Sequence, residues 1–100
     1  MSNPSLKVTN ATGDTNAAIT GKALVYAVHA RNSGTAASSV LLYDALTITG
    51  TAKINMAANS SDAGVTFQEF YTVDFAVPVM FTVGVTIDVT AADIVNVYWS

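Results

Sequence analysis

In the stretch VHARN, His29 and Arg31 stand two residues apart, and they are the only histidine and the only arginine of the chain. An imidazole can serve as a general base, and a guanidinium can grip a carboxylate or a phosphate. Base catalysis also needs a nucleophile and an orienting carboxylate, and the sequence marks neither. It has no GxSxG elbow, and no second histidine for a zinc site. The acids Asp14, Asp44, Asp62, Glu69, Asp74, Asp88 and Asp93 are scattered along the chain. A glycosidase would need two of them to converge in a cleft, as Asp44 and Asp88 would have to, and nothing in the spacing selects a pair. Asn59 to Gly64 has the look of a calcium loop but lacks the alternating acids and distal glutamate that coordination requires. There is no cysteine, which excludes disulfides, thiolate metal sites and thiol nucleophiles. The expectation is a protein without catalytic residues, metal or cofactor, not an enzyme.

The element carrying His29 and Arg31 alternates with period two. Leu24, Tyr26, Val28 and Ala30 share one face, and Val25, Ala27, His29 and Arg31 share the other, with polarity rising toward Asn32-Ser33-Gly34. This predicts a strand whose outer-leaning face presents His29 and Arg31, ~7 Å apart by strand geometry. The next strand, Ser39 to Asp44, is expected to pair with it as a hairpin. Weaker strands are expected at Leu46 to Ile48 and Lys53 to Ala57, then a loop over Ala58 to Gly64. Val65 to Tyr71 reads as a strand with neither face cleanly apolar, which suggests a bulge or an interface. Gly84 to Thr90 alternates cleanly, with Val85, Ile87 and Val89 inward, and after a turn at Ala91-Ala92-Asp93 the chain returns as Ile94 to Trp99. Phe75 to Ile87 is too short to cross a bilayer as a helix and holds Pro78 and Gly84, so it is sheet. Short strands at this spacing predict an all-β, antiparallel two-sheet sandwich, jelly-roll-like, of about seven or eight strands. Residues 1–19, rich in Asn, Thr and Ala with one weak strand at Leu6 to Thr9, are expected as a polar N-terminal arm, and residues 20–100 as the sandwich domain. No basic patch followed by an apolar run opens the chain, so no signal peptide is expected.

Charged residues make up 11% of the 100 residues, well under the usual share, while apolar residues make up 51% and the net charge is −3. Such a surface loses its water cheaply and suits broad contacts between subunits. Four basic residues spread over the chain do not make the clustered patch that nucleic acid requires. Among the nine aromatics, most fit a core, whereas Trp99 is a candidate for an intersubunit contact.

Three stretches carry a resemblance: KALVYAVHARNSGTAASSVLLYDA, FAVPVMFTVGVTIDVT and the closing IVNVYW. From Lys22 onward the chain resembles the small cysteine-free β proteins of tailed-phage structural gene clusters, in particular head decoration (cement) proteins. The shared pattern is a strand of the LVYxVHxxN type, a small-residue turn, a strand ending in Tyr43-Asp44, a stretch with Pro78, Phe81 and Gly84, and an aromatic-tipped final strand. The resemblance implies a virion protein made in the host cytoplasm and bound to the major capsid protein on the outer capsid surface, as a homo-oligomer, commonly a trimer. It carries over no catalytic residue. No nucleic acid and no membrane are expected as partners. Leu6, Val8, His29, Arg31, Phe70, Tyr98 and Trp99 are the candidate interface residues. The alternatives are a head-fibre or tail component, or a carbohydrate- or receptor-binding β-sandwich module.

Overall fold

A computed structural model describes residues 6–32, 38–58, 69–90 and 94–100. They form β1 (Lys7–Ala11), β2 (Thr15–Thr20), β3 (Ala23–Asn32), β4 (Ser38–Tyr43), β5 (Ile54–Ala58), β6 (Glu69–Phe81), β7 (Gly84–Thr90) and β8 (Ile94–Trp99). The first sheet has the order β1-β8-β3-β6 and the second β2-β7-β4-β5, and every pairing is antiparallel. The pairs β1–β8, β2–β7, β3–β6 and β4–β5 make one long ribbon folded back between β4 and β5. The β3–β8 and β4–β7 pairings then stitch that ribbon into two sheets. This is the jelly roll, a sandwich of two four-stranded sheets, as the strand pattern predicts.

The core lies between the sheets. Val25, Val28, Phe81, Val95 and Val97 come from the first sheet, and Ile19, Val40, Leu42, Ile54, Val85 and Ile87 from the second. The alternation of β4, β7 and β8 sets which residues turn inward. Gly84 begins β7 where its in-sheet neighbour β2 and the β4–β5 connection crowd it: a Cβ added there would lie 2.6 Å from the Ile19 carbonyl oxygen and 3.0 Å from Leu46 Cδ2. Only a residue without a side chain fits beside that carbonyl.

Four expectations are corrected. The strands β3 and β4 are not a hairpin, because they lie in opposite sheets and face one another across the core. Residues 7–20 are not an arm outside the sandwich: β1 and β2 supply an edge strand to each sheet, and Ala11 and Ile19 are buried. An edge strand buries only one face, so a stretch rich in Thr, Asn and Ala can hold one with few apolar anchors. No boundary falls at 19/20, since β2 runs through Thr20. Leu46 to Ile48 is not a strand but part of the connection between β4 and β5. Finally, Leu24 and Tyr26 do not share the face of Val28 and Ala30. The register slips between Val25 and Ala27, so Val25 is fully buried along with Val28 and Ala30. A bulge of one residue exchanges the faces of a strand.

The expected strand at Val65 to Tyr71 is described only from Glu69, and the loop beyond Ala58 and the turns at 33–34 and 91–93 lie outside the described residues. Among the described residues no helix is long and apolar enough to cross a membrane.

Candidate functional site

After the bulge at Tyr26, Ala27, His29 and Arg31 alternate with the buried Val28 and Ala30 and so face outward from the first sheet. Register brings the neighbours. Tyr98 pairs with both Val8 and Ala27, and Asn96 with Asn10 and His29, while Arg31 stands between Ile94 and Phe70. Of the seven candidate residues, Val8, His29, Arg31 and Tyr98 therefore share one outer face. Phe70 holds the register position opposite Arg31 on β6, and Leu6 lies just before β1, exposed. Trp99 turns the other way, with Val95 and Val97. Its ring packs on the rim of the core, its indole N–H donates to Thr9 Oγ1 at 2.9 Å, and the Lys7 ammonium sits 4.7 Å above it. Trp99 is thus anchored by contacts within the chain while its ring stays partly exposed.

His29 Nε2 lies 3.1 Å from Asp74 Oδ1, and the His29 ring centroid is 4.8 Å from that of Tyr98 at an interplanar angle of 57°. The Asp74 carboxylate is 74% exposed, so water competes for it and the pair orients the imidazole more than it stabilises the fold. Among the described residues no hydroxyl hydrogen-bonds the His29 ring. Beside it a shallow hollow of about 200 Å³ is lined by His29, Arg31, Thr72, Ile94 and Asn96.

Asp44 and Asp88 do not converge on a common site. Asp44 accepts hydrogen bonds from the Thr82 N–H (3.0 Å), the Thr82 hydroxyl (3.0 Å), the Val83 N–H (2.8 Å) and the Gly84 N–H (3.3 Å), with Lys53 Nζ at 3.5 Å. Burial opposes the charge, but the donors from Thr82, Val83 and Gly84 outweigh it and hold this carboxyl well below the usual carboxylate range. The residue is a clamp on the turn that carries the chain from the first sheet to the second. Asp88 instead faces Asp14, which accepts the Val89 N–H at 2.7 Å. Burial, then the hydrogen bond and charge of Asp14, push the Asp88 pKa up.

The sequence pattern gave no sign of a second feature, the composition of one end of the sandwich. Here β3 and β7 begin and β4, β6 and β8 finish. Exposed large apolar side chains gather toward it: Leu6 and Val8 on β1 and its approach, Val77 and Met80 on β6, and Val83 in the turn. Leu46 and Ile48 add to them from the connection between β4 and β5, which leaves and returns at this end. Leu24 pairs with Met80, and Lys22, Ala23, Leu24, Met80 and Ser100 line an apolar crevice of about 180 Å³. Lys7, Lys22 and Lys53, distant in sequence, all come here. Register counting could have found this, but only once the strand order was known.

Comparison with protein-family models, with curated proteins and with solved structures finds no match to the chain. Fold and surface together define an eight-stranded jelly roll with a polar outer sheet face and one apolar, lysine-bearing end.

Proposed function

We propose that the chain is a non-enzymatic structural protein of a tailed-phage virion. It docks on the major capsid protein at the outer capsid surface and stabilises the head as a decoration protein, assembled as a small homo-oligomer, a trimer. The observation that carries this reading is the gathering of exposed apolar side chains at one end of a sandwich whose sequence holds few charged residues, 11% in all. Exposed apolar side chains gathered toward one end favour a contact with another macromolecule. The sequence resemblance to decoration proteins names the kind of partner, and the jelly roll, common among capsid and lectin domains, agrees with it. Bridging neighbouring capsid subunits adds contact area that resists internal pressure, and copies held in register add avidity. His29, Arg31 and Tyr98 on the outer sheet face then orient neighbouring copies at a polar rim. Light scattering of the purified protein, with binding to purified capsids, tests the reading. A strict monomer that ignores capsids would end it.

The hollow beside His29 favours a second reading, a receptor-binding module for glycans. Arg31 and Asn96 offer polar groups to a sugar, and Tyr98 offers a ring beside them. Binding on a glycan array that is lost in Tyr98→Ala would support this reading, and a blank array would remove it.

A further inference from the structure

We infer that the lysine-bearing end is the part of the molecule that meets the shell, and that it docks on an apolar protein surface rimmed by aspartate and glutamate. The inference rests on the virion reading above and adds to it which end docks and what chemistry receives it. Among the described residues, Lys7, Lys22 and Lys53 stand at this end with one acidic side chain, Asp44, while Asp14, Asp74 and Asp88 lie away from it. In a molecule of net charge −3 this end is therefore positive. Toward it lie the exposed Leu6, Val77, Met80 and Val83, and the crevice lined by Lys22, Ala23, Leu24, Met80 and Ser100 opens there.

The other possible occupants fit less well. Two copies joined through this end by a two-fold axis would set lysines against lysines, which is repulsive. The opposite end of a second copy is acidic, with Asp14 and Asp88, yet among the described residues no exposed large apolar side chain lies there to meet the apolar centre. An anionic membrane is normally entered by exposed Trp or Phe beside the basic residues. Here the Trp99 ring is turned inward onto Thr9 and the core, and the exposed residues are aliphatic. A different protein, apolar at its centre and acidic at its rim, satisfies both the lysines and the apolar surface.

The test uses the full chain and particles of the phage that encodes it, stripped of the protein and offered it again. Lys22→Glu and Met80→Ser, both at exposed side chains, should each weaken rebinding about tenfold or more. Affinity of the wild type should fall with added salt, while Asp88→Asn at the far end should bind as the wild type does. Circular dichroism checks that each variant is folded. Should either variant unfold, a photo-crosslinker at position 22, compared with one at position 88, still decides which end meets the shell. If the wild type rebinds and both variants bind equally well, or if position 88 crosslinks in place of 22, the assignment of this end is wrong and the virion reading survives. If the wild type does not rebind at all, the virion reading itself fails. Binding to vesicles of phosphatidylcholine with phosphatidylserine, stronger than to particles, would overturn the protein partner in favour of lipid.

Discussion

Replacing Asp44 with alanine removes the acceptor for three backbone N–H groups and one hydroxyl between Thr82 and Gly84. Hydrogen bonds to a charged group are worth about 1.5–3 kcal/mol each, but these share one carboxylate and water can replace some of them. The expected loss is therefore about 3 kcal/mol, a large part of the ~5–15 kcal/mol that a small domain has. For a domain of this size that lowers Tm by roughly 15 °C. Asp44→Asn keeps one oxygen acceptor and should lose about half as much. The folded pKa of Asp44 lies below its unfolded value, so its contribution is complete above about pH 4 and is lost as pH falls through the folded pKa. The gap between wild type and variant should therefore be constant from pH 7 to about 5 and close progressively below pH 4. Urea unfolding followed by Trp99 fluorescence at a series of pH values measures both. A difference under about 0.5 kcal/mol at pH 7, or a gap indifferent to acid, would refute the clamp.

Removing residues 1–19 takes β1 and nearly all of β2. Burial of Ile19 alone is worth about 2–3 kcal/mol, and β8 and β7 lose partners besides, so circular dichroism should show an unfolded chain. A folded truncation would restore the arm. Gly84→Ala drives a methyl to within 2.6 Å of the Ile19 carbonyl oxygen and should cost about 2 kcal/mol in thermal unfolding, whereas an unchanged Tm would mean that β2 and the β4–β5 connection yield freely there. Asp88→Asn should raise stability at pH 7 by about 0.5 kcal/mol, since it removes the charge set against Asp14. Because the folded Asp88 pKa is raised, the wild type loses stability as pH rises above about 4, and the two proteins should unfold alike near pH 3. A variant less stable than wild type at pH 7 would show that the pair is not repulsive.

Alternation made some elements legible to the residue. Gly84–Thr90 and Ile94–Trp99 match their expected spans, because regular inward valines and isoleucine mark a buried face. The other face of β7, where alternation turns Thr86 outward, nonetheless also buries Gly84 and Thr86. Periodicity shows which residues face the same way, not which sheet they enter, so nearness in sequence suggests a hairpin where β3 and β4 in fact enter opposite sheets. The bulge at Tyr26 was equally hidden. It places Val25, expected outside, in the core, yet leaves His29 and Arg31 on the outer face as expected. Leu6 to Thr9 was legible as a strand and illegible as part of the sandwich, since its partner β8 lies at the other end of the chain. The lysine-bearing end is the clearest case. Lys7, Lys22 and Lys53 look dispersed in sequence, and only the pairings of Lys7 with Trp99 and Leu24 with Met80, and the approach of Lys53 to Asp44, bring them to one end.

Electron cryomicroscopy of the assembled phage particle tests the central claim most directly. The account predicts eight-stranded jelly-roll density on the outer capsid surface, grouped in threes, with Lys22 and Met80 turned toward the shell. Particles whose capsid surface carries no such density, or carry it only on the tail, would contradict it.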